Sequence, residues 1–263
     1  MNEHDNWDRH WFDLTHTNGY NPGQSFRREL VIHWLKQVAP EGRGRLLDIG
    51  SGQGDLLVSL ERHFPDLVLS GAEMSAIGIE QSRVKAPGVR FYQRDLSQAP
   101  GPDDELLGWA SLAVCCEVLE HVDDPALVLA HAARYLAPGG RLFITVPGGP
   151  TSAFDRHIGH REHFTPERLT GVVRDAGLIP EKVTGVGFPF FNLYRMTVIL
   201  RGKALIKDAA GDENQQPGLL ARAAMRAYSL VLRQSLNSSG MGWQMTAQVR
   251  KPEETGSNSK PQG

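Results

Sequence analysis

The sequence is short of unbalanced charge, of cysteine and of unbroken apolar stretches. Its 28 Lys and Arg stand against 30 Asp and Glu, for a net charge of −2 and a pI of about 6.6. No strong field therefore draws it to a polyanion, and the basic stripe of a dedicated nucleic-acid binder is missing. Its two cysteines, Cys115 and Cys116, are adjacent in an apolar run, so they provide neither a disulfide framework nor a zinc site. That usage fits a reducing cytoplasm. No apolar segment follows a basic start, and no secretory signal is expected. The apolar stretch Phe188 to Ile206 is punctuated by Pro189, Asn192, Arg195 and Arg201, which excludes a bilayer span there. At 263 residues the chain can bury a sizeable core.

What the chain holds is organised around Arg45 to Asp55, R-L-L-D-I-G-S-G-Q-G-D. Leu46, Leu47 and Ile49 make the short apolar run of a buried strand. Gly50, Ser51, Gly52, Gln53 and Gly54 form a glycine-dense turn, and Leu56, Leu57, Leu60 and Phe64 then recur at helical spacing. A strand, a tight turn and a helix present backbone N–H groups at a helix N-terminus, where an anionic or strongly polar part of a nucleotide-like ligand is expected. A dinucleotide fingerprint begun at Gly50 would place its third glycine at position 55, which is Asp55. Pyrophosphate is also disfavoured beside Asp48 and Asp55. A zwitterionic ligand bearing a sulfonium cation tolerates them better, which counts against a NAD-dependent oxidoreductase.

Strand and helix then alternate. Leu67 to Ala72 reads as a second strand ending at Glu73, about twenty residues past the turn, where a carboxylate in nucleotide-binding sheets takes the two ribose hydroxyls. A helix is expected before the first strand, from Gln24 to Val38, with Phe26, Leu30, Trp34 and Val38 on one face. Further strands are expected at 89–93, 112–116 and 141–146, with helices at 75–84, 125–136 and 166–177. Five alternations make a parallel doubly wound sheet. A sixth strand is expected at 180–187 and an antiparallel seventh at 243–250, where apolar and polar residues alternate. Residues 188–240 form a helical insertion between them. It is expected either to cover the sheet's end or to wall an apolar acceptor and mediate a homodimer.

The motif series resembles the S-adenosylmethionine (SAM) methyltransferases of the Rossmann-like class. Their first motif has the form of Leu46 to Gly54. Glu-Val-Leu-Glu-His-Val, here Glu117 to Val122, is frequent in the branch that methylates quinone precursors and other small molecules, and Pro138-Gly139-Gly140 before a strand is frequent too. The resemblance implies a seven-stranded, mostly parallel sheet with an antiparallel last strand, and SAM as cofactor. It implies cofactor contacts at Asp48, Gly50, Ser51, Gly52, Gly54, Glu73 and Met74, at Asp95 and Leu96 for the adenine, and at Glu117. An N-terminal arm, residues 1–23, is expected to pack its aromatics on the domain or to close as a lid, with Tyr20 touching the cofactor. The domain is expected to span 24–250, with a disordered polar tail from 251.

Three histidines, His157, His160 and His163, fall within a segment expected to be a loop after the fifth strand. A metal is not expected, since the loop gives no helical face and no cysteine is near. Histidine titrates near neutrality and suits general-base work. His160 is the expected base for a hydroxyl acceptor and His157 the next choice, with Asp155 or Glu162 orienting the imidazole. The rate is expected to rise with pH through the histidine range. His121, at a helix entry, is expected to be structural. A small, hydrophobic acceptor is expected, with RNA or protein as alternative methyl acceptors and a non-catalytic SAM-binding scaffold as the remaining class.

Overall fold

The computed structural model describes residues 7, 8, 11, 21–210, 218–236 and 239–253. Tyr20, most of the arm and the tail from 254 lie outside the described residues.

Leu46, Leu47 and Ile49 have no exposed surface. They lie in β1 (Gly44–Ile49), which pairs in parallel with β2 (Leu67–Glu73) on one side and β4 (Ala110–Cys116) on the other. A strand covered on both edges and both faces has little polar side to show, hence its apolar run, interrupted by the buried Asp48. The sheet is completed by β3 (Arg90–Gln93), β5 (Leu136–Pro147), β6 (Ile179–Val186) and β7 (Gln244–Arg250), in the order β3-β2-β1-β4-β5-β7-β6. Strand β7 is antiparallel to both β5 and β6. The order reverses direction between β1 and β4, so the carboxyl ends of β1, β2, β4 and β5 open one crevice at the switch point, where ligands bind in open α/β sheets.

Helices cover both faces. Helix α1 (Pro22–Val38) is capped by Asn21, whose Oδ1 accepts the Gly23 N–H at 2.9 Å. Asn21-Pro22-Gly23 is therefore a helix start, with proline in the first turn where its missing N–H costs nothing. One core contains α1, α2 (Asp55–His63) and α3 (Ala76–Lys85); Trp34 of α1 stacks on Phe143 of β5 at 5.2 Å. The other contains α4 (Pro125–Ala133) and α6 (Pro166–Asp175), begun at Asp124 and Thr165, whose side chains accept from Leu127 and Arg168 N–H. Strand β5 begins earlier than expected, at Leu136. A bulge opposite Ala110–Leu112 carries Pro138 to Gly140 within it. Lys251 continues past the end of β7, its N–H on Gly140 O and its ammonium on Leu136 O.

The insertion forms α7 (Phe190–Ala210) and α8 (Leu219–Leu232). Phe191 is buried and stacks on Phe26 at 4.7 Å, and Leu232 is fully buried in the same core. Truncating a buried Phe costs about 3–5 kcal/mol, so this segment is part of the fold as well as a cover. Leu193, Met196 and Leu200 of α7 stay exposed. Among the described residues no helix is long and apolar enough to cross a membrane.

Candidate active site

The glycine turn is closed on itself. Gly50, Gly52 and Gly54 have φ of 72°, 53° and 78°, the left-handed region open to glycine. The Gly50 and Ser51 N–H groups both donate to Ala72 O at 2.8 and 3.1 Å, Gly54 N–H donates to Ser51 O, and Gly52 N–H donates to Glu73 Oε2 at 2.8 Å. The expected cradle of free N–H groups is therefore not formed by these residues: three of their donors are spent on the end of β2 and the fourth within the turn. What the turn offers instead is a side-chain-free backbone surface. A Cβ on Gly52 would come within 2.7 Å of the Trp11 ring, which also lies over Gly78.

Glu73 ends β2 beside this surface, its other oxygen accepting Ser75 N–H at 2.9 Å. Burial pushes its carboxyl up, against the Ser75, Gly52 and Met74 N–H groups and the Trp11 side chain, which pull it down. Burial, with the Glu73 charge, raises Asp48 to about 7. Ser51 Oγ is buried and has no hydrogen-bond partner among the described residues. Met74 is exposed and its carbonyl accepts from Gln93. Asp95 stands just past β3, where its carboxylate accepts from Ser97 N–H and Oγ–H and from Gln98, a local turn. Leu96 is half-buried against the core, and its carbonyl meets His131 Nδ1.

Across the crevice a second group is assembled from distant parts of the chain. Glu117 follows β4 with φ 58°, an uncommon conformation for a non-glycine residue. Its Oε1 accepts from Thr145 and Gln244, and Oε2 pairs with Arg27 at 3.3 Å. The carboxylate is thus engaged by α1, β5 and β7. Glu120 and His121 lie on a short 3-10 turn, Leu119–His121. Glu120 is fully buried, neither oxygen has a hydrogen-bond partner among the described residues, and burial together with Glu117 drives its carboxyl well above the usual range. The expected loop contains a short helix, α5 (Ala153–His157), begun by a reciprocal Ser152–Asp155 capping box. Asp155 is buried and held by both terminal nitrogens of Arg195 at 3.0 and 2.8 Å. Burial alone would raise it, but Arg195 and Ser152 outweigh that and hold it far below the carboxylate range.

Gly159, at φ 88°, turns the chain so that His160 faces this group. His160 lies edge-on to His121, with ring centroids 4.8 Å apart, and its Nδ1 is 3.2 Å from His163 Nε2. Burial, then the neighbouring His121, push His160 down to about 2, so it is neutral throughout the physiological range. The expected titration of His160 near neutrality is therefore shifted down: half-buried beside other histidines, its charged form is disfavoured. His157 is exposed and outside the group. Glu162 pairs with Arg168 rather than with a histidine. His121, expected to be structural, is a member. Glu120, His121 and His160 each bring one donor atom within 4.8 Å of the others, and so do Asp155, His160 and His163. Nitrogen and carboxylate donors of this kind suit a divalent cation. Sequence spacing hid this set because Glu120, His121 and Arg195 are remote in the chain from His160 and His163.

A doubly wound sheet in this strand order, with a glycine turn after β1, an acidic end to β2 and a polar group across the crevice, defines the Rossmann-like methyltransferase class. A methyltransferase-domain family matches residues 24–182. The ubiquinone biosynthesis O-methyltransferase of Thiobacillus denitrificans (strain ATCC 25259 / T1) is 26% identical over 208 residues, covering 67% of this chain and 85% of that protein. Geranyl diphosphate methyltransferase in complex with SAM has the same fold at a TM-score of 0.54 and 18% identity, covering 87% of this chain and 85% of that one. Haemonchus contortus phosphoethanolamine N-methyltransferase 2, also with SAM, gives 0.57 at 19% identity over 94% of this chain and 57% of that one. The chain belongs to the methyltransferase-domain family and is a SAM-dependent enzyme.

The residues fit that cofactor. The side-chain-free surface of Gly52 and Gly78 accepts a flat ring, as it does that of Trp11, and the Ser51 hydroxyl and the Glu73 carboxylate stand beside it.

Proposed function

We propose that the enzyme transfers the methyl group of SAM to a hydroxyl of a small, largely apolar acceptor. In this reading the cofactor lies along Gly50 to Gly54, with Glu73 on the ribose, Asp48, Ser51 and Met74 nearby, Asp95 and Leu96 at the adenine, and the acceptor between it and the acid–histidine group. Glu117 then serves from behind, as the clamp on α1, β5 and β7. SAM supplies an electrophilic methyl on a cationic sulfur, attacked in line, and holding the partners in line can contribute about 7–11 kcal/mol.

The observation that carries the reading is His160: a neutral imidazole facing the carboxyl edge of the sheet, with a carboxylate that favours a proton within reach. His160 accepts the acceptor's hydroxyl proton. The imidazolium so formed releases the proton to solvent as product leaves; Glu120, whose buried carboxyl is driven well above the usual range and already holds a proton, stands beside it. The relatives named for ubiquinone biosynthesis, and the near-neutral charge, support a small-molecule acceptor over RNA. The exposed Leu193, Met196 and Leu200 of α7 are the surface through which a homodimer would form; a monomer in sedimentation would end that part. Methyl-labelled SAM incubated with hydroxyl, amine and thiol acceptors of graded apolarity tests the whole. Label is expected in hydroxyl compounds; label in amines alone would overturn O-methylation.

A second reading is favoured by Glu120, whose unpartnered oxygens lie near His121 and His160. A divalent cation there would orient and acidify the acceptor hydroxyl. Chelation followed by metal add-back separates the two: turnover lost and restored favours the cation, unchanged turnover the base.

A further inference from the structure

We infer that His163 is a positioning residue that fixes His160 as its Nδ1–H tautomer, leaving Nε2 as the bare nitrogen facing the acceptor. The chain of reasoning starts at a backbone carbonyl. His163 Nδ1 is 3.0 Å from Gly149 O, and a carbonyl oxygen only accepts, so His163 carries its proton on Nδ1. In neutral imidazole the other nitrogen is then bare. His163 Nε2 is that nitrogen, and it faces His160 Nδ1 at 3.2 Å. It can only accept, so His160 must donate from Nδ1, and its own Nε2 is left with the lone pair.

The surroundings hold His163 in this state. The carboxylate that could pull a second proton onto its Nε2 is Asp155, 3.8 Å away. Asp155 is already engaged by both Arg195 nitrogens and by Ser152 N–H at 2.7 Å. Burial further disfavours the imidazolium at His163. Gly149, with φ 70°, sits where a Cβ would strike the Trp243 ring, so the carbonyl that starts the relay is on a fixed turn. Arg195 comes from the insertion, Gly149 from the end of β5 and His163 from the segment before α6. Three elements thus set which nitrogen of a fourth residue is available.

The catalytic meaning of this arrangement rests on the proposed role of His160, but the tautomer does not, and it is read without any acceptor. Long-range proton–nitrogen correlation spectra of ¹⁵N-labelled wild type report which ring nitrogen of each histidine bears hydrogen; the His160 ring is assigned by its loss in His160→Gln. Wild type is expected to show Nδ1–H at both His160 and His163. His163→Gln keeps an acceptor oxygen near the lost Nε2 and is expected to leave His160 as Nδ1–H. His163→Leu removes the acceptor and is expected to move His160 largely to Nε2–H. Nε2–H at His160 in wild type, or an unmoved His160 in a folded His163→Leu protein, overturns the inference. If His163→Leu does not fold, wild type and His163→Gln still decide it. Loss of turnover in His160→Ala concerns the base role alone, so the two claims fail separately.

Discussion

The two walls of the crevice are built on opposite plans. The glycine turn is local: one stretch of chain, three left-handed glycines and backbone donors spent on the adjacent strand end. The acid–histidine group is collective: Arg27, Glu117, Glu120, His121, Asp155, His160, His163 and Arg195 arrive from the first helix, two strand ends, a short helix and the insertion. The first wall is shaped by backbone and tolerates little beyond glycine. The second is shaped by charge in a dry place, where each member sets the state of the next. A ligand surface can be written in a few consecutive residues, but a tuned proton site needs residues far apart in sequence.

If the walls differ in this way, substitutions on the second should alter chemistry and folding, and on the first, cofactor affinity. The largest effect is expected for His160→Ala, a fall in kcat of about 10²–10⁴-fold with SAM affinity near wild type by calorimetry. A rate within a few-fold of the parent would leave positioning alone as the source of catalysis. Next, Arg195→Leu strands the Asp155 carboxylate, buried at 1% exposure. Breaking a buried pair costs about 3–5 kcal/mol, measured as a drop in urea midpoint; Arg195→Leu with Asp155→Asn should recover much of it. On the other wall, Glu73→Ala should weaken SAM binding by roughly 1.5–3 kcal/mol without a comparable loss in kcat at saturating cofactor. Unchanged affinity would remove Glu73 from the ribose. The smallest effect per step is a pH slope. His160 is neutral in the fold down to about 2 but takes a proton near 6.5 when unfolded. Its contribution is therefore present above about 6.5 and is lost as pH falls, by at most about 1.4 kcal/mol per pH unit. The acid limb of the stability curve should flatten in His160→Gln.

The same contrast explains what was legible. The strands, the capped helices at Asp124 and Thr165 and the antiparallel β7 could be read because each is fixed by neighbours in sequence. The resemblance of the motif series, begun at Leu46 to Gly54, named the class. The donors of Gly50, Ser51, Gly52 and Gly54 were misjudged, because the end of β2 takes three of them and an alignment of two strands is invisible in one. The helix starts at Pro22, ahead of the expected Gln24, because Asn21 caps it and proline fits its first turn. His157 and His160 look alike in sequence; the turn at Gly159 separates an exposed ring from a half-buried one. The membership of Glu120 and His121 followed from burial that no spacing announces.

Trp11 gives the cofactor side a competitor that travels with the protein. Its ring covers Gly52 and Gly78, its carbonyl accepts from Gln53 and Gln81 at 3.4 Å each, and Asp8 accepts from Ser75 Oγ at 2.5 Å. A tethered side chain acts at an effective concentration that can reach the millimolar range. If SAM needs the same surface, its apparent dissociation constant is the intrinsic one divided by the fraction of molecules in which Trp11 has left. Trp11→Ala should then tighten SAM binding by that factor, and the affinity of this enzyme for its cofactor becomes a property of Trp11 and Asp8 as much as of the turn that Trp11 covers.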